Sequence, residues 1–144
     1  MINKVLAFGC DHAGLELKLA LIEVAQSFEY RTIDCGTHTT ESVDYPDFAN
    51  KVVEAIKSEQ AALGVLICGT GIGMGMAANR YPGIRAAVCH TELEARLARE
   101  HNDANILCVG GRILGIEQAR SCLVAFLSSH FTNGRHTSRV EKMG

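Results

Sequence analysis

One stretch limits the possible folds more than any other: Gly64-Val65-Leu66-Ile67-Cys68-Gly69-Thr70-Gly71-Ile72-Gly73-Met74-Gly75-Met76-Ala77-Ala78-Asn79. Residues 63–67 form a short, almost unbroken apolar run, as expected of a strand covered on both faces. Glycine then alternates with small or flexible residues before Met76-Ala77-Ala78-Asn79-Arg80, which suits a helix. The stretch predicts strand, tight glycine turn, helix. Such a turn leaves backbone N–H groups unpaired at a helix start, where an anion can be held. Cys68 falls at the carboxyl end of the strand. The helix field is expected to acidify a thiol placed there, and only the thiolate is a strong base or nucleophile. A plainer reading competes. A free cysteine is more often a small buried apolar residue, and the glycines can serve only a close helix–sheet contact.

The same alternation recurs along the chain. Apolar runs predict further strands over 4–8, 30–33, 84–88 and 105–109. Between them, 15–28 reads as a helix whose charges, Glu16, Lys18 and Glu23, form one polar flank. A polar loop over 38–46 leads to a helix over 47–59, with Phe48, Val52, Val53 and Ile56 at helical spacing and Pro46 near its start. Thr91 and Glu94 have the spacing of a capping box, which starts a helix running to about His101. A last helix is expected over 115–127, followed by a tail over 128–144 that holds His130, Arg135, His136 and Arg139. Five strands alternating with helices predict an α/β fold, a five-stranded parallel sheet with helices on both faces and a C-terminal tail.

Ligands of such sheets bind beyond the carboxyl ends of the strands. Asp11 and His12 follow the first strand, Asp34 the second, Cys68 and Thr70 the third, His90 the fourth and Arg112 the fifth. His101 and Asn102 end a helix instead, and they join the others only if that helix end lies near them. At 144 residues the chain suits one domain. Its 47% apolar and 21% charged residues exclude a disordered protein, and a net charge of −2 gives no support to general nucleic-acid binding. The tail, with three basic residues against one acid, carries +2 and leaves −4 for the rest, so it suits a small anion or a partner subunit. No apolar run reaches the roughly 18–20 residues of a membrane span. Met1-Ile2-Asn3-Lys4-Val5 enters a strand without a signal-peptide layout. The six cysteines, Cys10, Cys35, Cys68, Cys89, Cys108 and Cys122, form no C-x-x-C pair. A cytoplasmic chain with free thiols is expected.

Several functions compete on these residues. A dinucleotide fingerprint fails, because the sixth position counted from Gly69 or Gly71 is Met74 or Met76. A P-loop fails for want of Gly-Lys-Ser/Thr. Zinc held by Cys10, Cys35, Cys68 and Cys89 lacks the local ligand pairs such sites use, and redox chemistry lacks a C-x-x-C. A small phosphorylated substrate has partners in His12, Arg112, Arg135 and Arg139, although any one of these arginines can be merely solvated. His101 is either an acid/base or a histidine favoured by a helix C-terminus. Asp11 is either functional or a cap for the helix after it.

The motifs Gly9-Cys10-Asp11-His12-Ala13-Gly14, Asp44-Tyr45-Pro46, Ile67-Cys68-Gly69-Thr70-Gly71-Ile72-Gly73, His101-Asn102-Asp103-Ala104-Asn105 and Gly134-Arg135-His136 with Arg139-Val140 together resemble the ribose-5-phosphate isomerase type B family. The resemblance runs from the first strand into the tail. It implies a single-domain, Rossmann-like three-layer αβα sandwich and interconversion of ribose 5-phosphate and ribulose 5-phosphate without metal or cofactor. It also implies a homodimer or dimer of dimers with shared active sites, the tail touching a second subunit. By the same resemblance Cys68 is the base, Thr70 assists at the reacting end, and His101, with Asp11 nearby, opens the sugar ring. Gly69, Gly71, Gly73 and Gly75 hold the enediolate oxygen through their amides. Tyr45 and Asn102 line the sugar, and His12, Arg112, Arg135 and Arg139 grip the phosphate. Some members carry glutamate where this chain has Met74, so the chain falls in the cysteine-base branch. The related galactose-6-phosphate isomerase subunits generally lack the cysteine. A hexose phosphate such as allose 6-phosphate, or a non-catalytic sugar-phosphate sensor, is the alternative.

Overall fold

In the computed structural model, which describes residues 3–144, the five apolar runs become one parallel sheet. The strands are β1 (Val5–Cys10), β2 (Arg31–Asp34), β3 (Leu63–Cys68), β4 (Ala86–Val88) and β5 (Ile106–Gly110), in the order β2-β1-β3-β5-β4. All pairs are parallel, with Cys10 opposite Ile67 and Cys68 opposite Gly110. The inner strands β1, β3 and β5 are buried on both faces, as their unbroken apolar runs require. Helices α1 (Leu15–Ser27), α4 (Glu92–Asn102) and α5 (Ile116–Ser128) share one core with the sheet, through Leu17, Leu21, Ala98, Leu123 and Phe126. Helices α2 (Tyr45–Lys57) and α3 (Ile72–Ala78) build the other, through Val52, Val53, Met74 and Ala78. The result is the expected three-layer αβα sandwich. From β1 the chain moves to the β2 edge, and from β3 to the β4 edge, so a crevice opens between the carboxyl ends of β1 and β3. Met1 and Ile2 of the N-terminal reading lie outside the described residues. Among those described, no helix is long and apolar enough to cross a membrane.

Several expectations are corrected. β1, β3 and β5 run one or two residues further than their apolar runs, to Cys10, Cys68 and Gly110. There the ladder continues into the turns, for example from Gly111 N to Cys68 O at 2.8 Å. β4 starts later than residue 84, because the Arg85 amide donates to the Asn105 side chain at 2.8 Å rather than to a strand. The Asn79 side chain pairs with both N and O of Ala86, at 2.7 and 2.9 Å, and covers part of that sheet edge. α2 begins at Tyr45 with Pro46 in its first turn, so Tyr45 belongs to a helix and not to the loop. α3 includes Gly73 and Gly75, which places half of the glycine run inside the helix. The tail forms α6 (His136–Met143) and docks on α4, Thr132 donating from N and Oγ1 to Glu100 O at 3.0 and 2.9 Å. The expected capping box on α4 is present, Glu94 N donating to Thr91 Oγ1 and Thr91 N to Glu94 Oε1, both at 3.1 Å.

Lys18 is the largest departure. It is fully buried rather than part of a polar flank. Taking an ammonium out of water costs several kcal/mol unless it is paired, and here Asp34 Oδ1 meets it at 2.6 Å.

All six cysteines are free thiols. Burial pushes Cys10 and Cys122 up to about 11 and Cys89 up to about 12, from an ordinary value of 9.0, and also raises Cys35 and Cys108. The folded chain therefore keeps protons that the unfolded chain releases above about pH 9, so ν_U falls below ν_N and stability declines with rising pH. The thiols' contribution is complete below about pH 9 and is lost between about pH 9 and 12, at up to about 1.4 kcal/mol per thiol per pH unit. Urea denaturation between about pH 8 and 10.5 should show this decline, and Cys89→Ala should make it shallower. Equal slopes in the two proteins would contradict the assignment.

Candidate active site

The crevice at the carboxyl edge holds a cleft of about 430 Å³ whose lining includes Asp11, Tyr45, Cys68 and Thr70. Cys68 ends β3, is 5% exposed, and its Sγ accepts a hydrogen bond from Gly71 N at 3.1 Å. Gly71 can make this bond because its φ of 80° turns the backbone into the left-handed region. A side chain there would also meet the Val109 carbonyl carbon at 2.9 Å.

The turn divides its amides. Gly71 N is engaged by Cys68, Gly75 N by Gly71 O at 3.1 Å, and Ile72 N by Thr70 Oγ1 at 3.2 Å. Among the described residues, the amides of Gly69, Thr70 and Gly73 have no partner. Tyr45 closes one side, with its ring laid so tightly on α3 that a Cβ at Gly73 would lie 2.5 Å from Cζ. Arg112 closes another: its amide donates to Gly69 O at 2.9 Å, and its Nη1 lies 3.5 Å from where a Gly69 Cβ would stand. No ion pair engages that guanidinium among the described residues.

Asp11 is 7% exposed and accepts from Ala13 N at 2.9 Å through Oδ1, capping the 3₁₀ turn His12–Gly14. Among the described residues, no hydrogen bond reaches its other oxygen. His12 accepts from Val43 N at Nδ1, 3.2 Å away. Two apolar side chains that the sequence reading did not select, Ile72 and Met76, complete the lining at 49% and 68% exposure. The available signal was that so short a helix carries apolar residues all round, more than one buried face can use. Met74, by contrast, is fully buried behind the cysteine.

The remaining candidates lie elsewhere in the same chain. α4 starts after the carboxyl end of β4 and returns to the start of β5, so His101 and Asn102 sit at the amino edge of the sheet. Five residues of β5 separate them from Cys68, roughly 16 Å at ~3.3 Å per residue. Asp11 is therefore not a neighbour of His101 within one protomer. His101 instead stacks on His136, ring centroids 4.3 Å apart, and Arg135 and Arg139 stand exposed on the same α6 segment. Burial and the charges of His101, Arg135 and Arg139 lower the His136 pKa. Asn102 borders a separate hollow of about 410 Å³, shared with Asn79 and Met143, in which no cysteine takes part. Among the described residues, no group of three or more His, Cys, Asp or Glu side chains is placed to hold a metal ion.

A parallel sheet that opens at its switch point onto a thiol and free amides is the frame of an α/β-sandwich enzyme. Residues 6–143 match the family model described as Ribose/Galactose Isomerase. The chain is 43% identical over 138 residues to ribose-5-phosphate isomerase B of Escherichia coli, covering 96% of this chain and 93% of that one. The fold superposes on Clostridium thermocellum ribose-5-phosphate isomerase B with a TM-score of 0.95 at 48% identity, covering 97% of this chain and 95% of that chain. The Thermotoga maritima enzyme of the same name gives 0.94 at 49% identity, with 96% of each covered. The chain belongs to the ribose/galactose isomerase family and is an isomerase.

Proposed function

We propose that this isomerase interconverts D-ribose 5-phosphate and D-ribulose 5-phosphate, with Cys68 as the base. The observation that carries the reading is Cys68 Sγ in the cleft, receiving the Gly71 amide, with three unpartnered amides on the same turn. The relatives are named for this substrate. The thiolate takes the proton from C2 of the open-chain aldose, leaving an enediolate, and returns it to C1 to give the ketose. The amides of Gly69, Thr70 and Gly73 face the developing oxyanion, and the Thr70 hydroxyl handles the proton at the carbonyl end. Tyr45 bounds the sugar, and the apolar Ile72 and Met76 keep water from the intermediate. The reading uses no metal or cofactor; base and donors all belong to this chain.

Phosphate is held by His12 and Arg112 from one protomer and by Arg135 and Arg139 from another, the exposed basic face of α6 meeting the open cleft. His101 and Asn102 arrive with that second protomer. There His101, next to the free oxygen of Asp11, opens the furanose by exchanging protons with the anomeric hydroxyl and the ring oxygen. The working unit is thus a homodimer, or a dimer of dimers, with the tail at the junction. The reading places it in the cytoplasm, where its six free thiols stay reduced.

The experiment is hydrogen exchange. Ribulose 5-phosphate incubated with the protein in heavy water should gain deuterium at C1, and the ribose 5-phosphate formed should carry it at C2. A proton held on sulfur beside an open cleft exchanges with water before every return is complete, so turnover that retains all of the substrate hydrogen would point to hydride transfer and count against the base. No turnover, with phosphosugar binding intact, would leave a sensor.

A further inference from the structure

Lys18 has no part in the chemistry above, yet it sits fully buried directly behind the site. Its Nζ donates to Asp34 Oδ1 at 2.6 Å and to the Thr37 carbonyl at 2.5 Å, so one ammonium ties α1 to the end of β2 and to the loop after it. Asp34 Oδ1 also accepts from Gly36 N at 3.0 Å. The strip 34–37 then extends the sheet beside Cys10: Cys10 N donates to Gly36 O at 2.7 Å and Thr37 N to Cys10 O at 2.8 Å. Cys10 leads straight into Asp11 and His12. From Thr37 the chain loops back to Val43, whose N–H donates to His12 Nδ1. A neutral imidazole that accepts at Nδ1 carries its hydrogen on Nε2. His38, at 3.8 Å from Asp34 Oδ2, is exposed and lies on the outer side of the same carboxylate. An apolar side chain at position 18 fills the space but supplies none of the donors that join these three segments.

We propose that Lys18 is a positioning residue for His12: by tying Asp34 and the Thr37 carbonyl to α1 it fixes the course of loop 38–43, and the Val43 amide then holds His12 as the Nε2–H tautomer that donates to the substrate's phosphate. The phosphate part rests on the isomerase reading above; the tautomer part does not, and it can be read without substrate. A neutral donor suits this place, since its hydrogen is already aimed and no proton has to be taken up on binding.

The test combines a spectroscopic and a kinetic measurement. Long-range ¹H–¹⁵N correlation spectra of substrate-free wild type should show His12 as the Nε2–H tautomer, and Lys18→Met should show a mixture. With ribose 5-phosphate, Lys18→Met should raise KM about tenfold, the loss of one charge-assisted hydrogen bond, while kcat stays within about threefold. Lys18→Met leaves the Asp34 carboxylate without its cation, so Lys18→Met/Asp34→Asn serves as the second variant, with cooperative thermal unfolding as the check that it folds. It should reproduce both the mixed tautomer and the raised KM, because the Thr37 carbonyl still lacks its donor. If wild type does not turn over ribose 5-phosphate, the isomerase reading fails and the spectra alone decide the role of Lys18. A folded double variant with the wild-type His12 spectrum overturns the proposal, and so does a mixed tautomer with an unchanged KM.

Discussion

Replacing Cys68 by alanine is expected to lower kcat for ribose 5-phosphate isomerisation by about 10³–10⁴-fold, the upper range for losing a positioned base. Fold and phosphosugar affinity should change little. The side chain is small, and the neighbouring Gly69, Thr70 and Gly73 amides, Arg112 and His12 are held by contacts that do not pass through sulfur. One bond is lost, from the Gly71 amide, and that amide is left beside an open cleft where water can replace the acceptor. Binding is checked by isothermal titration with ribose 5-phosphate and turnover by coupled assay. Near-normal turnover would remove Cys68 from the mechanism. The other five thiols are poor substitutes, since burial holds each above its ordinary range.

The second large effect is complementation between two inactive variants. Cys68 and His101 lie at opposite edges of one sheet, so a site that uses both takes them from different protomers. Cys68→Ala and His101→Asn should each be nearly inactive on the closed-ring sugar. Unfolded together and refolded in equal amounts, they should recover about a quarter of wild-type activity, because half the dimers are mixed and each mixed dimer has one intact site of two. Arg139→Ala in place of His101→Asn should behave likewise, with KM the parameter restored. Recovery no greater than the mean of the parents would show that one protomer supplies the whole site. His101→Asn should also lose less activity on an acyclic substrate than on furanose, since only the ring-opening step needs the imidazole.

Local pattern made much of this molecule legible. The five apolar runs, the capping box of Thr91 and Glu94 and the helical spacing of Val52, Val53 and Ile56 each report a backbone state through neighbours a few residues away. The placing of Asp11, Cys68, Thr70 and Arg112 at one edge followed from parallel topology alone, because every strand of such a sheet points its carboxyl end the same way. α6 was missed because it buries none of its residues, and eight residues with only Val140 and Met143 apolar are too short a window for periodicity to be read. Tyr45 was assigned to a loop because Pro46 marks a helix start only to within a residue or two.

The amino-acid sequence by itself determined the layered sheet, the thiol at the head of the glycine turn and the family to which they belong. All three depend on residues adjacent in the chain. Only the tertiary structure decided which turn amides remain free, that Lys18 lies buried against Asp34 and Thr37, and that His101 keeps company with His136 rather than with Asp11. Those outcomes depend on partners brought together across the sheet. A charged or polar side chain goes where its counterpart is, and hydrophobic periodicity carries no record of that address.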